Sequence, residues 1–475
     1  MRTVQGAALD GLRARVKALA ERSGLPVRPG RAAEGGGRAP RGAAPVADRR
    51  PAVPPLGAGT PDWRTSVKES IRQTAAPALG ALLRGLVRPG AQYPSAAALR
   101  ARHGAGPVLV RSRSGRPVLV LLDPQDVSRF YAEPLSVLAA DPPEKCRGLG
   151  PAEPAGVGCA HGELRPERRQ INAGALAPGS PVHPSCGSFL TVIAEEARHL
   201  TATCTLGSDR AGHAVTRAAR RIVLGDRAAD DEELSGWLRQ LRGGTGRATR
   251  SVYAKADARI QAYADQAGTD TLVGRAAHHA DPAGALDPVG QAHQWLLAMD
   301  AIPPTLLRTL LLLGAHPAEQ DTAAAEAAGR GAGGELPRLR ACVRECLRLY
   351  PVVPELIRVT RAETEWRGVR YPAGTSVLLP AAFHQRDPER VPAAHVFVPG
   401  RWKNPRADQD IRMAPFSHGG GRCPGDQLGL MITAALCAEV LRGHRVGAAR
   451  PALDPVGPLP ATLDPHGIRL TLTRR

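Results

Sequence analysis

Aromatic side chains make up only 3% of this 475-residue chain, so leucine, valine and alanine must fill most of any core. Eight cysteines are present, but none forms a CxxC pair and no histidine cluster sits at zinc spacing, which argues against a structural zinc site. Such sparse cysteine use does not resemble a disulfide framework, and it points to a reducing, cytosolic compartment. No unbroken run of eighteen apolar residues occurs, so a transmembrane helix is not expected. The first residues lack the apolar stretch of a secretory signal, and a cytoplasmic protein without integral membrane association is the expectation. No flavin- or nicotinamide-binding fingerprint follows any predicted strand, and no internal repeat is visible.

A hydrophobic content of 43% with 23% charge is ordinary for a globular protein, and the length allows one large domain or two to three smaller ones. The net charge is +19, carried mostly by arginine. That balance suits nucleic acid, a membrane surface or an acidic protein partner, or it reflects a composition rich in Ala, Gly, Arg and Pro throughout. The arginines are spread along the chain without a basic stripe interleaved with aromatics, so nucleic-acid binding is not expected. Residues 1–60 hold ten Arg and one Lys against four acids, with abundant Gly, Pro and Ala. They read as a flexible extension with a short amphipathic helix near Leu9–Leu19, ahead of a domain covering 61–475.

Within that domain, PVLVRSRSGRPVLVLLDP from Pro107 predicts two strands around a Ser-Gly turn. Helical periodicity follows in LTVIAEEARHLTATCTLG and VTRAARRIVLGD. WLLAMDAIPPTLLRTLLLL is the most apolar helical segment, and LRACVRECLRLY is a helix ending at Pro351. Residues 356–382 read as short strands, with VRYPAGTSVLLP as a hairpin, and IRLTLTR closes the chain as a strand. The fold class is mainly α with a small β subdomain. Segments 140–160 and 205–255 read as the variable loops that would set specificity.

The segment Pro415-Phe-Ser-His-Gly-Gly-Gly-Arg-Cys-Pro-Gly425 is the most informative in the chain. Its glycines permit positive φ and close approach of a flat ligand. Pro424 suits the first turn of the helix that follows, which places Cys423 at the positive helix end and favours its thiolate. Phe416-x-x-Gly419-x-x-x-Cys423-x-Gly425 resembles the haem-binding signature of the cytochrome P450 family. The resemblance implies that fold, haem b with Cys423 as the iron ligand, and contacts to the haem from Phe416 and Gly425. Where the family usually has Arg or His two residues before the cysteine, this chain has Gly421.

Glu345 and Arg348 are three apart on one helix surface, the geometry of a simple surface bridge. The segment Phe397-Val-Pro-Gly-Arg401-Trp402 lies between them and Cys423. In the family such a segment completes a buried Glu-Arg-Arg cluster, which implies a structural cluster of Glu345, Arg348 and Arg401. Arg358, together with Arg165 and Arg169 from HGELRPERR, matches the family's propionate-binding arginines, and bidentate pairing explains the residue type.

The long central helix of the family carries an acid followed by threonine. Here Asp300 is followed by Ala301, then Pro303 and Pro304, with Thr305 the nearest hydroxyl. The three residues Asp300, Ala301 and Thr305 are the candidates for proton delivery. Each proline removes an amide donor, so the carbonyls of Met299 and Asp300 lose helical partners, at roughly 3 kcal/mol per proline in a helix interior. The resemblance implies a monooxygenase that inserts one atom of O2 into a small organic substrate, with electrons from a ferredoxin and ferredoxin reductase. The missing threonine keeps open another haem-thiolate reaction, such as peroxide-driven oxidation, coupling or isomerisation. A non-enzymatic haem binder is the remaining alternative.

Overall fold

A computed structural model describes residues 92–111, 117–142, 145–146, 154–241, 247–278, 286–329, 335–404 and 406–475. The expected N-terminal extension, its amphipathic helix and the boundary at 60/61 lie outside the described residues.

Helix α1 (Gln92–His103) leads into the expected hairpin of β1 (Val108–Arg111) and β2 (Pro117–Val120), with Val108 opposite Val120 and Val110 opposite Val118. Helix α2 (Pro124–Ala132) starts where the Asp123 carboxylate accepts the Gln125 amide and proline takes the first turn. Strands β3 (Leu138–Ala139), β5 (Leu356–Thr360) and β8 (Ser376–Leu379) complete a five-stranded sheet in the order β1-β2-β8-β5-β3. Only the β2–β8 pair is parallel.

The expected hairpin over 369–380 is not formed. Strand β7 (Val369–Tyr371) pairs backward with β6 (Thr364–Trp366), while β8 joins the large sheet. Local turn chemistry decides this. Arg367 and Gly368 both have positive φ, 49° and 80°, the combination that closes a two-residue hairpin with the correct twist. The Thr375 amide then donates to the Thr360 hydroxyl and turns the chain toward β5.

The helical part contains α3 (Leu164–Leu176), α4 (Cys186–Leu200), strand β4 (Thr205–Gly207), α5 (Ser208–Leu224), α6 (Glu232–Leu241), α7 (Arg247–Ala264) and α8 (Leu272–Ala277). It continues with α9 (Ala292–Met299), α10 (Ile302–Ala315), α11 (Pro317–Ala328), α12 (Pro337–Leu349), α13 (Ala381–Gln385) and α14 (Asp426–Gly443). Strand β9 (His444–Arg450) follows, and β10 (Arg469–Arg474) lies between β4 and β9 in a second sheet. The periodic stretch read as one helix through Gly207 therefore stops at Leu200, because Thr205–Gly207 pairs with β10. The span 205–255, read as a variable loop, is largely α5, α6 and α7.

Helix α10 is the centre of the core. Leu306, Leu307 and Leu310 to Leu313 are all at most 1% exposed and pack among α5, α12, α14 and β9. Burying each such leucine contributes about 1.5–3 kcal/mol. By length and composition Val289–Ala315 could cross a membrane, which the search for an unbroken apolar run did not anticipate. Here it is packed inside the protein.

One disulfide links Cys146 and Cys159, with Cα atoms 5.5 Å apart. The cysteine spacing had not suggested it.

Candidate functional site

The cysteine loop is built by two glycines that no other residue could replace without a shift. Gly419 has φ +61°, and a Cβ there would overlap the carbonyl oxygen of Tyr131. A Cβ at Gly421 would sit 3.0 Å from the guanidinium of Arg358. The departure at Gly421 is thereby explained: Arg358, arriving from β5, fills the space that a side chain there would take. The Cys423 amide donates to the Phe416 carbonyl at 2.9 Å, which closes the loop.

Helix α14 begins at Asp426 with Gly425 as its cap, so Pro424 lies ahead of the first turn and not within it. The Gly425 amide donates toward the Cys423 sulfur. Burial pushes the Cys423 thiol up, against this amide and the positive charges of Arg169 and Arg422. The sulfur is densely surrounded by protein, yet the residue remains open to solvent.

Three arginines converge on this loop. Arg169 donates to the Arg422 carbonyl at 2.7 Å, and Arg165 donates to the Val157 carbonyl at 2.9 Å. Arg358 donates to the Phe130 carbonyl and lies over the Phe130 ring, 4.4 Å from its centroid. Burial lowers Arg358 to about 10, with Arg165 acting in the same direction; burial and Arg169 likewise lower Arg165. These cations weaken one another and are held by neutral carbonyls, an arrangement suited to an anionic ligand. Arg422 is instead engaged by Asp426 at 2.6 Å.

Beneath the loop, Glu345 and Arg348 are fully buried and joined by two hydrogen bonds of 2.8 and 2.9 Å. Arg348 also donates to the carbonyls of Gln385, Ala394 and Val396. Arg401 reaches Glu345 at 3.1 Å, as the motif implied. Two further donors were missed: the Trp402 indole at 2.9 Å and the Val398 amide at 3.0 Å. Trp402 directly follows Arg401, and its N–H needs a partner once buried, so the sequence did carry a signal. Burial pushes the Glu345 carboxyl up, but Arg348, Arg401 and the Val398 amide outweigh it, and the net direction is down.

The apolar helix breaks at Asp300 and Ala301, whose amides bond three residues back, at 3.4 and 3.1 Å. Pro303 and Pro304 fall in the first turn of α10, where amides would be unpaired anyway. The interior cost of about 3 kcal/mol each therefore does not arise. Thr305 is buried and donates its hydroxyl to the Ala301 carbonyl at 2.7 Å, so that proton is already engaged. In α9 most side chains are buried, but Ala298 is exposed and Gln294 and Asp300 are partly open, as is Ala301 after it.

A buried amide network, also missed, fastens the helix start: Trp295 donates to Asn172, which donates to Gln291, which donates to the Ala155 carbonyl.

A mainly α protein with a small sheet and a cysteine set in a glycine loop before its last long helix is the architecture of the haem-thiolate class. Residues 300–454 match the family described as Cytochrome P450. Cyclooctat-9-en-7-ol 5-monooxygenase of Streptomyces melanosporofaciens is 36% identical over 180 residues, 34% of this chain and 39% of that protein. Sterol 14alpha-demethylase of Mycobacterium tuberculosis is 33% identical over 120 residues, 25% and 27% of the two chains. Human mitochondrial sterol 26-hydroxylase is 28% identical over 207 residues, 39% of each. Over residues 300–454 the chain is therefore similar to the cytochrome P450 family. Each of these alignments spans well under half the length of the relative it matches.

The residues fit the haem that this family carries. Cys423 is an exposed residue of a glycine loop that Arg169 and Arg358 approach, with Arg165 beside them.

Proposed function

We propose that the protein is a haem-thiolate monooxygenase that holds haem b through Cys423 and inserts one atom of O2 into a small organic substrate. The observation that carries this reading is Cys423, exposed in a glycine loop that Arg169 and Arg358 approach, with Arg165 beside them. Haem, when bound, supplies the oxygen-activating chemistry, and a thiolate ligand is what favours O–O cleavage.

The chain's own residues have three tasks. Arg165, Arg169 and Arg358 would grip the carboxylates of the cofactor. The Glu345 cluster keeps the loop's underside rigid. Asp300 and the carbonyls of Met299 and Asp300, which face prolines four residues on, would hold water and move protons in place of the absent threonine.

Electrons would come from a separate ferredoxin and its reductase. A small hollow beside the cysteine loop is lined by Arg344, Trp402, Met413 and Arg422, a basic and aromatic surface suited to an acidic donor. We place the protein in the cytoplasm and in specialised metabolism. Ala301 favours a second reading, in which the same haem-thiolate centre drives peroxide-dependent oxidation, coupling or isomerisation.

The test is the spectrum of the reduced, CO-bound protein. Wild type should show the thiolate-type band and Cys423→Ala should lose it, while changing any other cysteine should not. A histidine-type spectrum in wild type would overturn the assignment. Product formation with O2 and a surrogate ferredoxin system, against peroxide alone, separates the two readings.

A further inference from the structure

We propose that the Cys146–Cys159 disulfide is a redox-responsive clasp that holds the backbone of 154–160 against both the arginine helix α3 and the distal helix α9. The bridge ties the chain just after β3 to the chain just before α3, and both sulfurs belong to partly exposed residues that a small thiol can reach. Among the described residues no other disulfide is formed.

The segment next to the bridge makes an unusual set of contacts. The Val157 carbonyl accepts Arg165, and the Pro154 and Gly156 carbonyls accept Arg168. The Val157 amide donates to Gln294 at 3.0 Å, and the Ala155 carbonyl accepts Gln291. Ala155 also packs on Gly290, where an added Cβ would lie 2.8 Å from its own. One short strap therefore touches the arginine proposed to grip the cofactor and the open side of the distal helix. Lys145 donates to the Ala140 and Gly158 carbonyls at 3.0 and 2.9 Å and repeats the tie without a covalent bond. With the bridge open, this lysine and the strap's own hydrogen bonds still join the two ends.

Opening the clasp takes two electrons and two protons from a dithiol. One dithiol sulfur attacks a bridge sulfur and breaks the S–S bond, forming a mixed disulfide. The second dithiol sulfur displaces the remaining cysteine, leaving two protein thiols and a cyclic disulfide product. A small-molecule disulfide runs the exchange backward.

The experiment is hydrogen exchange by mass spectrometry on the full chain, before and after dithiothreitol, with the linked peptide mapped under non-reducing conditions. Amides in 154–165 should exchange at least about tenfold faster after reduction, while those in α10 and α14 stay unchanged. The double variant Cys146→Ser/Cys159→Ser should match reduced wild type and ignore the reductant. Haem transfer to apomyoglobin should also quicken, an arm that rests on the proposed cofactor. Finding both thiols free in protein purified without reductant, or unchanged exchange after cleavage, overturns the clasp. Faster exchange with unchanged haem transfer overturns its link to Arg165. A protein that holds no haem defeats the proposed function, while the exchange data still decide the clasp.

Discussion

The ion cluster beside the cysteine loop and the break in the central helix are built on opposite plans. In the first, the Glu345 carboxylate meets Arg348, Arg401, Trp402 and the Val398 amide, and both of its oxygens are engaged. In the second, the helix is interrupted at Asp300 and Ala301, and two prolines without amides open the next helix. A buried charge persists only when its hydrogen bonds are complete, so the cluster must be saturated to exist at all. A helix end carries no such demand, because its terminal backbone groups lack intrahelical partners in any case. Saturated hydrogen bonding holds one region, and a change of helical register marks the other.

Glu345→Ala tests the first half of this contrast most severely. It would leave Arg348 buried without its partner, at a cost of about 3–5 kcal/mol. Insoluble or haem-free protein is expected. A soluble holoprotein with wild-type denaturation behaviour would mean that the cluster is not what fixes the loop.

Acid should reach the same carboxylate next. Its folded-state titration lies below the ordinary carboxylate range, so its contribution is present above that range and is lost as pH falls through and below it. Urea midpoints measured at successively lower pH should fall there, and the part of the slope due to this group should vanish in any foldable Glu345→Gln protein.

Trp402→Phe is a gentler probe. It keeps most of the ring packing and removes one donor from a buried carboxylate oxygen, which should cost about 1–3 kcal/mol. A difference in denaturation free energy near zero would show that Arg348 and Arg401 satisfy Glu345 by themselves.

The smallest stability change is expected at the helix break. Replacing Pro303 and Pro304 with Ala should alter stability by no more than about 1 kcal/mol, because both occupy a first helical turn. Coupling should suffer more than stability, with reducing equivalents diverted to peroxide as the two new amides compete with water at the break. Product formed per NADPH consumed, with a surrogate ferredoxin system, measures this. Unchanged coupling would make the break a purely structural one. Ala301→Thr should improve coupling only slightly; a severalfold rise would indicate a substrate hydroxyl or a different reaction.

The chemistry of the loop was legible in the order of residues, because Phe416, Gly419, Cys423 and Gly425 lie within ten positions and local backbone geometry decides what they do. Helix periodicity likewise exposed the face carrying Glu345 and Arg348, and the proline pair marked the break near Asp300. The sequence by itself thus determined the glycine loop around Cys423, the ion cluster's core and the helix interruption, all features set within a few turns of chain. Only the tertiary structure decided the rest. Gly421 is accounted for by Arg358 from a distant strand, and Thr205–Gly207 is a strand because β10 lies beside it. The pairing of Cys146 with Cys159 depended on how β3 and α3 approach. Long-range packing brings such groups together, and no local spacing encodes the distance between them.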